Sequence, residues 1–232
     1  GPLAARDVRR AMRLRRLHNQ NGTQMTDATL FDTIYNCRAM RRLDTREVPE
    51  SDLLKLIDAA NQAASGSNAQ NGRWLIIRSA AVKQQLADLN RKFVLDYVGP
   101  PDSQPEAETE ADSRQERMLS AVYWQMEHMH ELPALIVACL EYGEKVDGAD
   151  LYRGAGDIWP GIQNLLLSAR ALGLGATPTT LALTDQDAAR KVLNLPDTMA
   201  AMCLIPVGYP LGKFGPVTRK PVEEVMRFDT WS

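Results

Sequence analysis

Ala64-Ser65-Gly66-Ser67-Asn68-Ala69-Gln70-Asn71-Gly72-Arg73-Trp74-Leu75-Ile76-Ile77 joins a helix to a strand through a loop built almost wholly of small and amide side chains. Upstream, Leu53, Ile57, Ala60 and Ala64 recur at helical spacing, with Leu54 and Leu56 widening the stripe and Ser51 placed as N-cap after Pro49-Glu50. Downstream, Trp74-Leu75-Ile76-Ile77 reads as a buried strand. The loop has no apolar period, so it serves neither element.

Working outward, the same alternation continues. A helix over 28–36 carries Leu30, Ile34 and Tyr35. Val82, Leu86, Leu89 and Phe93 mark another, and Met118, Val122, Met126 and Met129 a third, better suited to core than to a cofactor box. Residues 99–113 are Pro-rich, acidic and aperiodic, the pattern of a mobile loop. Apolar runs over 133–140 and 199–207 predict two further buried strands, and a short strand is expected near 176–182. A long helix over 157–172 ends at Gly173. Thr184-Asp185-Gln186-Asp187 has the form of a capping box and opens one more helix. From Lys213 onward the chain has little periodicity and is expected to wrap a surface.

The 232 residues suffice for one sizeable domain or two small ones, with 44% hydrophobic and 24% charged residues. A net charge of −2 gives no global sign of a nucleic-acid binder, and no apolar run approaches a membrane span. Cys37, Cys139 and Cys203 form no CxxC pair, which argues against a zinc site or disulfide framework. Cys139 and Cys203 lie in strand-like runs and read as buried thiols. Six arginines crowd residues 1–24, either a flexible basic extension or an arm for an anionic surface, and Met25 offers a natural start for a domain over 25–232. No secretory signal is visible, so a cytoplasmic location is expected.

Four segments carry chemistry. Arg38, Arg41 and Arg42, within Cys37-Arg38-Ala39-Met40-Arg41-Arg42-Leu43, can grip phosphate oxygens in bidentate fashion, or form a solvated basic turn. Ser65, Gly66, Ser67, Asn68 and Gln70 offer close backbone approach together with amide donors and acceptors, suited to a heterocyclic edge, or form a plain polar loop. Gly173-Leu174-Gly175-Ala176-Thr177-Pro178-Thr179-Thr180-Leu181 can aim backbone donors at a ring nitrogen, or simply connect helix to strand. Arg219-Lys220-Pro221 adds a late cationic site. His128 and His130, two apart on a helix, make poor co-ligands. There is no GxGxxG, Gly-x-Ser-x-Gly or Walker signature.

Taken in order, the arginine cluster followed by Val48-Pro49, the Ser/Gly/Asn/Gln loop, Ala171-Leu172-Gly173-Leu174-Gly175-Ala176 before Pro178, and Arg219-Lys220-Pro221-Val222-Glu223-Glu224-Val225 resemble the FMN-dependent nitroreductase family over roughly Thr29 to Trp231. The resemblance implies an α+β fold, a three-layer α/β/α sandwich on a mostly antiparallel sheet, in a domain-swapped homodimer with FMN at each subunit interface. It implies that Arg38, Ala39, Met40, Arg41, Arg42 and Arg219 surround the phosphate. Ser65, Gly66, Ser67, Asn68 and Gln70 would come from the partner subunit, and Pro178, Thr179 and Thr180 would flank the ring. The implied reaction passes electrons from NADH or NADPH through FMN to a nitroaromatic, quinone or similar small acceptor by a ping-pong route, with no protein nucleophile and no metal. Ala39 departs from the family's serine, Ala64 from its proline, Asn71-Gly72-Arg73-Trp74 from its Pro-Trp, and Thr180 from the glutamate of some members. Thr180 together with the altered Asn71-Gly72 segment motivates a second reading, a non-catalytic flavin-binding or storage protein. A third, an adaptor for nucleic acid or membrane surfaces, rests on the basic N-terminus alone.

Overall fold

A computed structural model describes residues 30–103, 109–145 and 155–231; the arginine-rich stretch 1–24 lies outside them. Four strands, β1 (Gly72–Ile77), β2 (Ala134–Glu141), β3 (Gly175–Ala176) and β4 (Met199–Gly208), form one antiparallel sheet in the order β1-β2-β4-β3. The central pair is β2 and β4, the two longest apolar runs of the sequence, buried along almost their whole lengths. Strands covered on both faces read as continuous apolar runs rather than alternating ones.

The described helices are α1 (Leu30–Asn36), α2 (Glu50–Asn61), α3 (Ala80–Val98), α4 (Glu110–His128), α5 (Trp159–Ala171), α6 (Gln186–Leu193) and α7 (Val222–Val225). Side chains alternate across a strand, so Ala134, Ile136, Ala138 and Leu140 of β2 meet Leu53, Leu56 and Ala60 of α2 and Ile162, Leu165 and Ala169 of α5. Leu135, Val137 and Cys139 meet Leu86 and Ala87 of α3 and Ala189 of α6 on the other face. This is the expected three-layer α+β sandwich. Between Ala138 and Cys139 the ladder slips, with Ala138 opposite Cys203 and Cys139 opposite Ala201. The extra residue Met202 is a bulge, so Met202 and Cys203 pack on the same layer.

Local chemistry corrects several element boundaries. Pro49, not Ser51, precedes the first residue of α2, and its carbonyl accepts from Asp52 N (3.0 Å) and Leu53 N (3.2 Å). Glu50 and Asp52 then face the positive end of the helix dipole. The expected loop over 99–113 is shortened: Thr109 and Asp112 cap each other reciprocally and start α4 at Glu110. The strand near 176–182 stops after Ala176 because Pro178 has no N–H to give. Pairing resumes only at the single bridge Thr179–Leu204, and the chain turns into a 3-10 helix at Leu181–Leu183. Asp185 rather than Thr184 caps α6, accepting from Ala188 N at 2.9 Å. Gly173, at φ +74°, ends α5 as expected, with Leu174 N bonded back to Ala169 O at 2.8 Å.

Candidate functional site

Residues 38–43 leave α1 and lie against the end of the sheet. Met40 N donates to Ala176 O (3.1 Å), Asp44 N to Tyr209 O (2.7 Å) and Leu211 N to Arg42 O (3.0 Å), and Leu43 bridges Pro210. Met40 and Leu43 are buried, Arg38 and Arg42 beside them are exposed, and Arg41 between them is partly buried. Only glycine permits this approach at position 175. A Cβ there would lie 2.7 Å from Leu43 Cδ2 and 2.8 Å from Met40 Cβ. The open cavity so formed, about 740 Å3, gathers Arg38, Arg41, Arg42, Arg117 and Lys213 around a single carboxylate, Glu116. Arg42 donates to Ser120 Oγ of α4 at 2.8 Å. Five cations against one anion make a strong anion trap.

Arg41 also reaches a second, smaller cavity of about 90 Å3 between α3, α4 and the 177–181 segment, which it shares with Asn90, Gln125, Thr177, Pro178 and Thr179. Burial holds the Arg41 guanidinium below its usual pKa. Asn90, Gln125 and Thr177 are at most 4% exposed, and Gln125 Nε2 and Thr177 Oγ1 have no protein partner. An unsatisfied buried polar group costs on the order of 1–3 kcal/mol. Two such groups beside one cavity fit the polar edge of a ligand that supplies the missing bonds. Thr180 begins the 3-10 turn and does not line this cavity.

The Ser65–Gln70 loop lies elsewhere. Ser65 Oγ accepts from Gln70 N (3.0 Å), and Gln70 Nε2 donates to Asn68 Oδ1 (3.1 Å). Ser67, Asn68 and Gln70 all sit at positive φ, 52°, 54° and 48°. For non-glycine residues that region costs roughly 1–2 kcal/mol each and is retained where the surroundings over-determine it. One restraint comes from far along the chain: Gly66 N donates to Asp157 Oδ1 at 2.9 Å. Ser65, Gln70, Asn71, Trp74 and Asp157 line a cleft of about 230 Å3.

The structure therefore joins the arginine segment to Thr177–Thr179 through Arg41 and leaves the small-residue loop apart from both. Gly72, which follows the loop, pairs with Leu140 at one corner of the sheet, and Gly175, beneath the arginines, pairs with Gly208 at the diagonal corner. Strand geometry puts roughly 25 Å along the strands and about 14 Å across them between these corners. Arg219 is exposed and bonded to the carbonyl of Thr218, away from all three cavities. Asn90, Gln125, Arg117, Lys213 and Asp157 line these cavities without having stood out in the sequence, whereas Thr177 lay within the 173–181 segment. Each of the former is one polar residue on a helix or turn whose orientation only packing decides. His128 stacks on Trp124 and meets Glu131, outside all three cavities.

Fold and cavities together define a three-layer α+β protein with a cationic corner backed by an unsatisfied polar pocket. The nitroreductase family model matches residues 34–209, and the chain belongs to that family, a class of oxidoreductases. It is 27% identical over 205 residues to an iodotyrosine deiodinase of Thermotoga neapolitana, covering 87% of this chain and 98% of that protein. It is 25% identical over 183 residues to a putative NADH dehydrogenase/NAD(P)H nitroreductase of Methanothermobacter thermautotrophicus, covering 78% and 77% of the two chains. Among solved structures, an oxidized iodotyrosine deiodinase bound to FMN and 3-iodo-L-tyrosine aligns with a TM-score of 0.68 at 24% identity, covering 88% of this chain and all of that one. The NADPH:FMN oxidoreductase of Vibrio harveyi aligns with a TM-score of 0.65 at 17% identity, covering 88% and 78%.

Proposed function

We propose that this chain is an FMN-dependent oxidoreductase that takes electrons from NADH or NADPH and gives them to a small aromatic or quinonoid acceptor. One observation carries the reading: Arg41 lines both the cationic corner and the polar cavity, so a single molecule with a phosphate at one end and a polar ring edge at the other suits both. The residues present fit FMN on this test. Arg38, Arg41 and Arg42 would hold the phosphate. Gln125 and Thr177, whose Nε2 and Oγ1 are unpaired, line the cavity that would take the ring edge, and Pro178 and Thr179 would flank the ring. A guanidinium beside that edge favours negative charge there. When bound, FMN supplies the two-electron chemistry.

Ser65, Gly66, Ser67, Asn68 and Gln70 sit at the far corner of their own sheet, so their share in the same site comes from a second copy of the chain. The apolar residues left outside the single chain support this dimer: Leu30, Phe31 and Tyr35 on α1, and Val222, Phe228 and Trp231 in the tail, are each more than half exposed. Arg219, in that tail, would reach a phosphate once the tail packs on a partner. Among the described residues no helix is long and apolar enough to cross a membrane; with three free cysteines, a reducing cytoplasm is our proposed location.

The purified chain with FMN is expected to show a flavin absorption spectrum that bleaches anaerobically with NADH or NADPH and returns when a nitroaromatic or quinone is added. Failure to oxidise either coenzyme with any such acceptor overturns the reading. Flavin held tightly but reduced by neither coenzyme indicates a storage protein instead. The deiodinase relative, matched over nearly its whole length, favours a second acceptor class, halogenated aromatics. There two electrons and a proton replace a C–X bond by C–H and release halide, and halide release on dithionite-reduced enzyme separates the two classes.

A further inference from the structure

We propose that Asp157 is a positioning residue that holds the Ser65–Gln70 loop in the left-handed trace needed to meet the flavin. This rests on the flavin reading above. Four observations converge on it. The loop carries three non-glycine residues at positive φ within four positions, a trace the chain does not adopt without external restraint. Most of its own bonds are local: Asn68 N to Ser65 O (3.0 Å), Ala69 N to Gly66 O (2.9 Å) and Gln70 N to Ser65 Oγ (3.0 Å). The bond from Gly66 N to Asp157 Oδ1, 2.9 Å, ties the loop to a residue 91 positions away.

The anchor itself is fixed. Asp157 ends a 3-10 turn immediately before Ile158, which is 2% exposed in the core. Behind it, α5 crosses α2 so closely that a Cβ on Gly161 would lie 3.0 Å from Ala60 O. Asn164 Nδ2 adds a bond to Ala59 O at 3.2 Å. A carboxylate on this rigid frame receives a backbone N–H at the mouth of the loop, and a charged acceptor makes a stronger bond than a neutral one. The carboxylate also fills the space on that side of the loop: a Cβ on Gly66 would already lie 3.4 Å from Asp157 Oδ1.

Either end of the bond can be removed by a single substitution. Gly66→Pro deletes the N–H; Pro suits the first position of a helical turn, and the preceding Ser65 is extended at φ −130° and ψ 153°, as a residue before proline must be. The full chain and its variants Asp157→Ala, Asp157→Asn, Gly66→Pro and the Asp157→Ala/Gly66→Pro double are titrated with FMN by fluorescence quenching. Loss of a charge-assisted bond predicts about 10- to 100-fold weaker FMN binding for Asp157→Ala. Asp157→Asn keeps an oxygen acceptor but loses the charge, so it falls between the parent and Asp157→Ala, about 3- to 10-fold weaker than the parent. Gly66→Pro, whose ring Cδ takes the place of the amide hydrogen and displaces the carboxylate, is at least as weak as Asp157→Ala, and the double variant, which relieves that clash, is no weaker than Gly66→Pro, because both substitutions remove one interaction. Hydrogen exchange on the flavin-free chain gives an independent reading: Asp157→Ala speeds the Gly66 and Gln70 amides while those of α3 stay unchanged. A parent chain that binds no FMN sinks the flavin reading, and the exchange measurement alone then decides the role of Asp157. A parent that binds FMN, with Asp157→Ala equal to it in affinity and in amide exchange, sinks this inference and leaves the flavin reading intact. Losses that multiply in the double variant, or Asn behaving as Ala, also sink it.

Discussion

Residue identities were most legible where burial decides them. Cys139 and Cys203 sit in uninterrupted apolar runs, and both are fully buried in the sheet. Burial pushes each thiol from the ordinary 9.0 up to about 12, with a hydrogen bond to Thr179 opposing the shift at Cys203. The consequence has a definite sign. In the unfolded chain these thiols ionise near pH 9, while in the folded chain they stay protonated to higher pH. The stability they contribute is thus complete below pH 9 and is lost as pH rises from 9 toward 12. Each removes about 1.4 kcal/mol per pH unit in that window. The unfolding free energy from urea titration, followed between about pH 9.5 and 11, is expected to fall more gently in Cys139→Ala, by about 1.4 kcal/mol per pH unit, than in the parent. Equal slopes would show that the thiol ionises in the fold. Polar residues were less legible. Nothing in the spacing around Gln125 or Asp157 distinguishes them from neighbours that point to solvent, because their roles depend on partners 91 residues away for Asp157 and on a cavity built by three separate segments for Gln125.

Elements were legible in kind and less so at their ends. The apolar runs that became β2 and β4 left no other reading, whereas the ends were settled by individual backbone donors. Pro178 cut β3 to two residues, and capping groups moved the starts of α4 and α6. Helix α6 shows how much one cap can decide. It is only eight residues long, too short to stand alone, and it covers the sheet through Ala189. Asp185 satisfies the Ala188 amide and places a negative charge at the positive helix end. Asp185→Ala is expected to cost about 1 kcal/mol. Asp185→Asn, which keeps the acceptor, should cost only a few tenths. Chemical denaturation of the two variants checks this. Equal losses would assign the effect to charge alone, and no loss in either would remove the cap from the account.

At the scale of the whole molecule, the segments singled out in the sequence do not form one site within one chain. Their order along the chain was readable, but their distribution over two corners of the sheet was not, because that depends on strand order β1-β2-β4-β3. In that order the edge strands β1 and β3 carry the two halves away from each other. If a two-fold pairing brings the corner of one copy to the opposite corner of another, each dimer holds two sites, and each site draws its arginines from one chain and its small-residue loop from the other. This makes a prediction that no single-chain site can satisfy. A variant lacking the cationic grip, Arg38→Ala/Arg41→Ala, and a variant lacking the loop's polar groups, Asn68→Ala/Gln70→Ala, should each bind FMN at least tenfold more weakly, as charge-assisted and buried polar contacts are lost. Mixed, unfolded and refolded together, they form some dimers with one chain of each kind. In those dimers one site carries all four substitutions and the other carries none. Tight flavin binding should therefore return to roughly a quarter of all sites, since half of the randomly paired dimers are mixed and each has one intact site. If the site lay within one chain, every chain in the mixture would still carry a defect, and no tight binding would return at any ratio of the two variants.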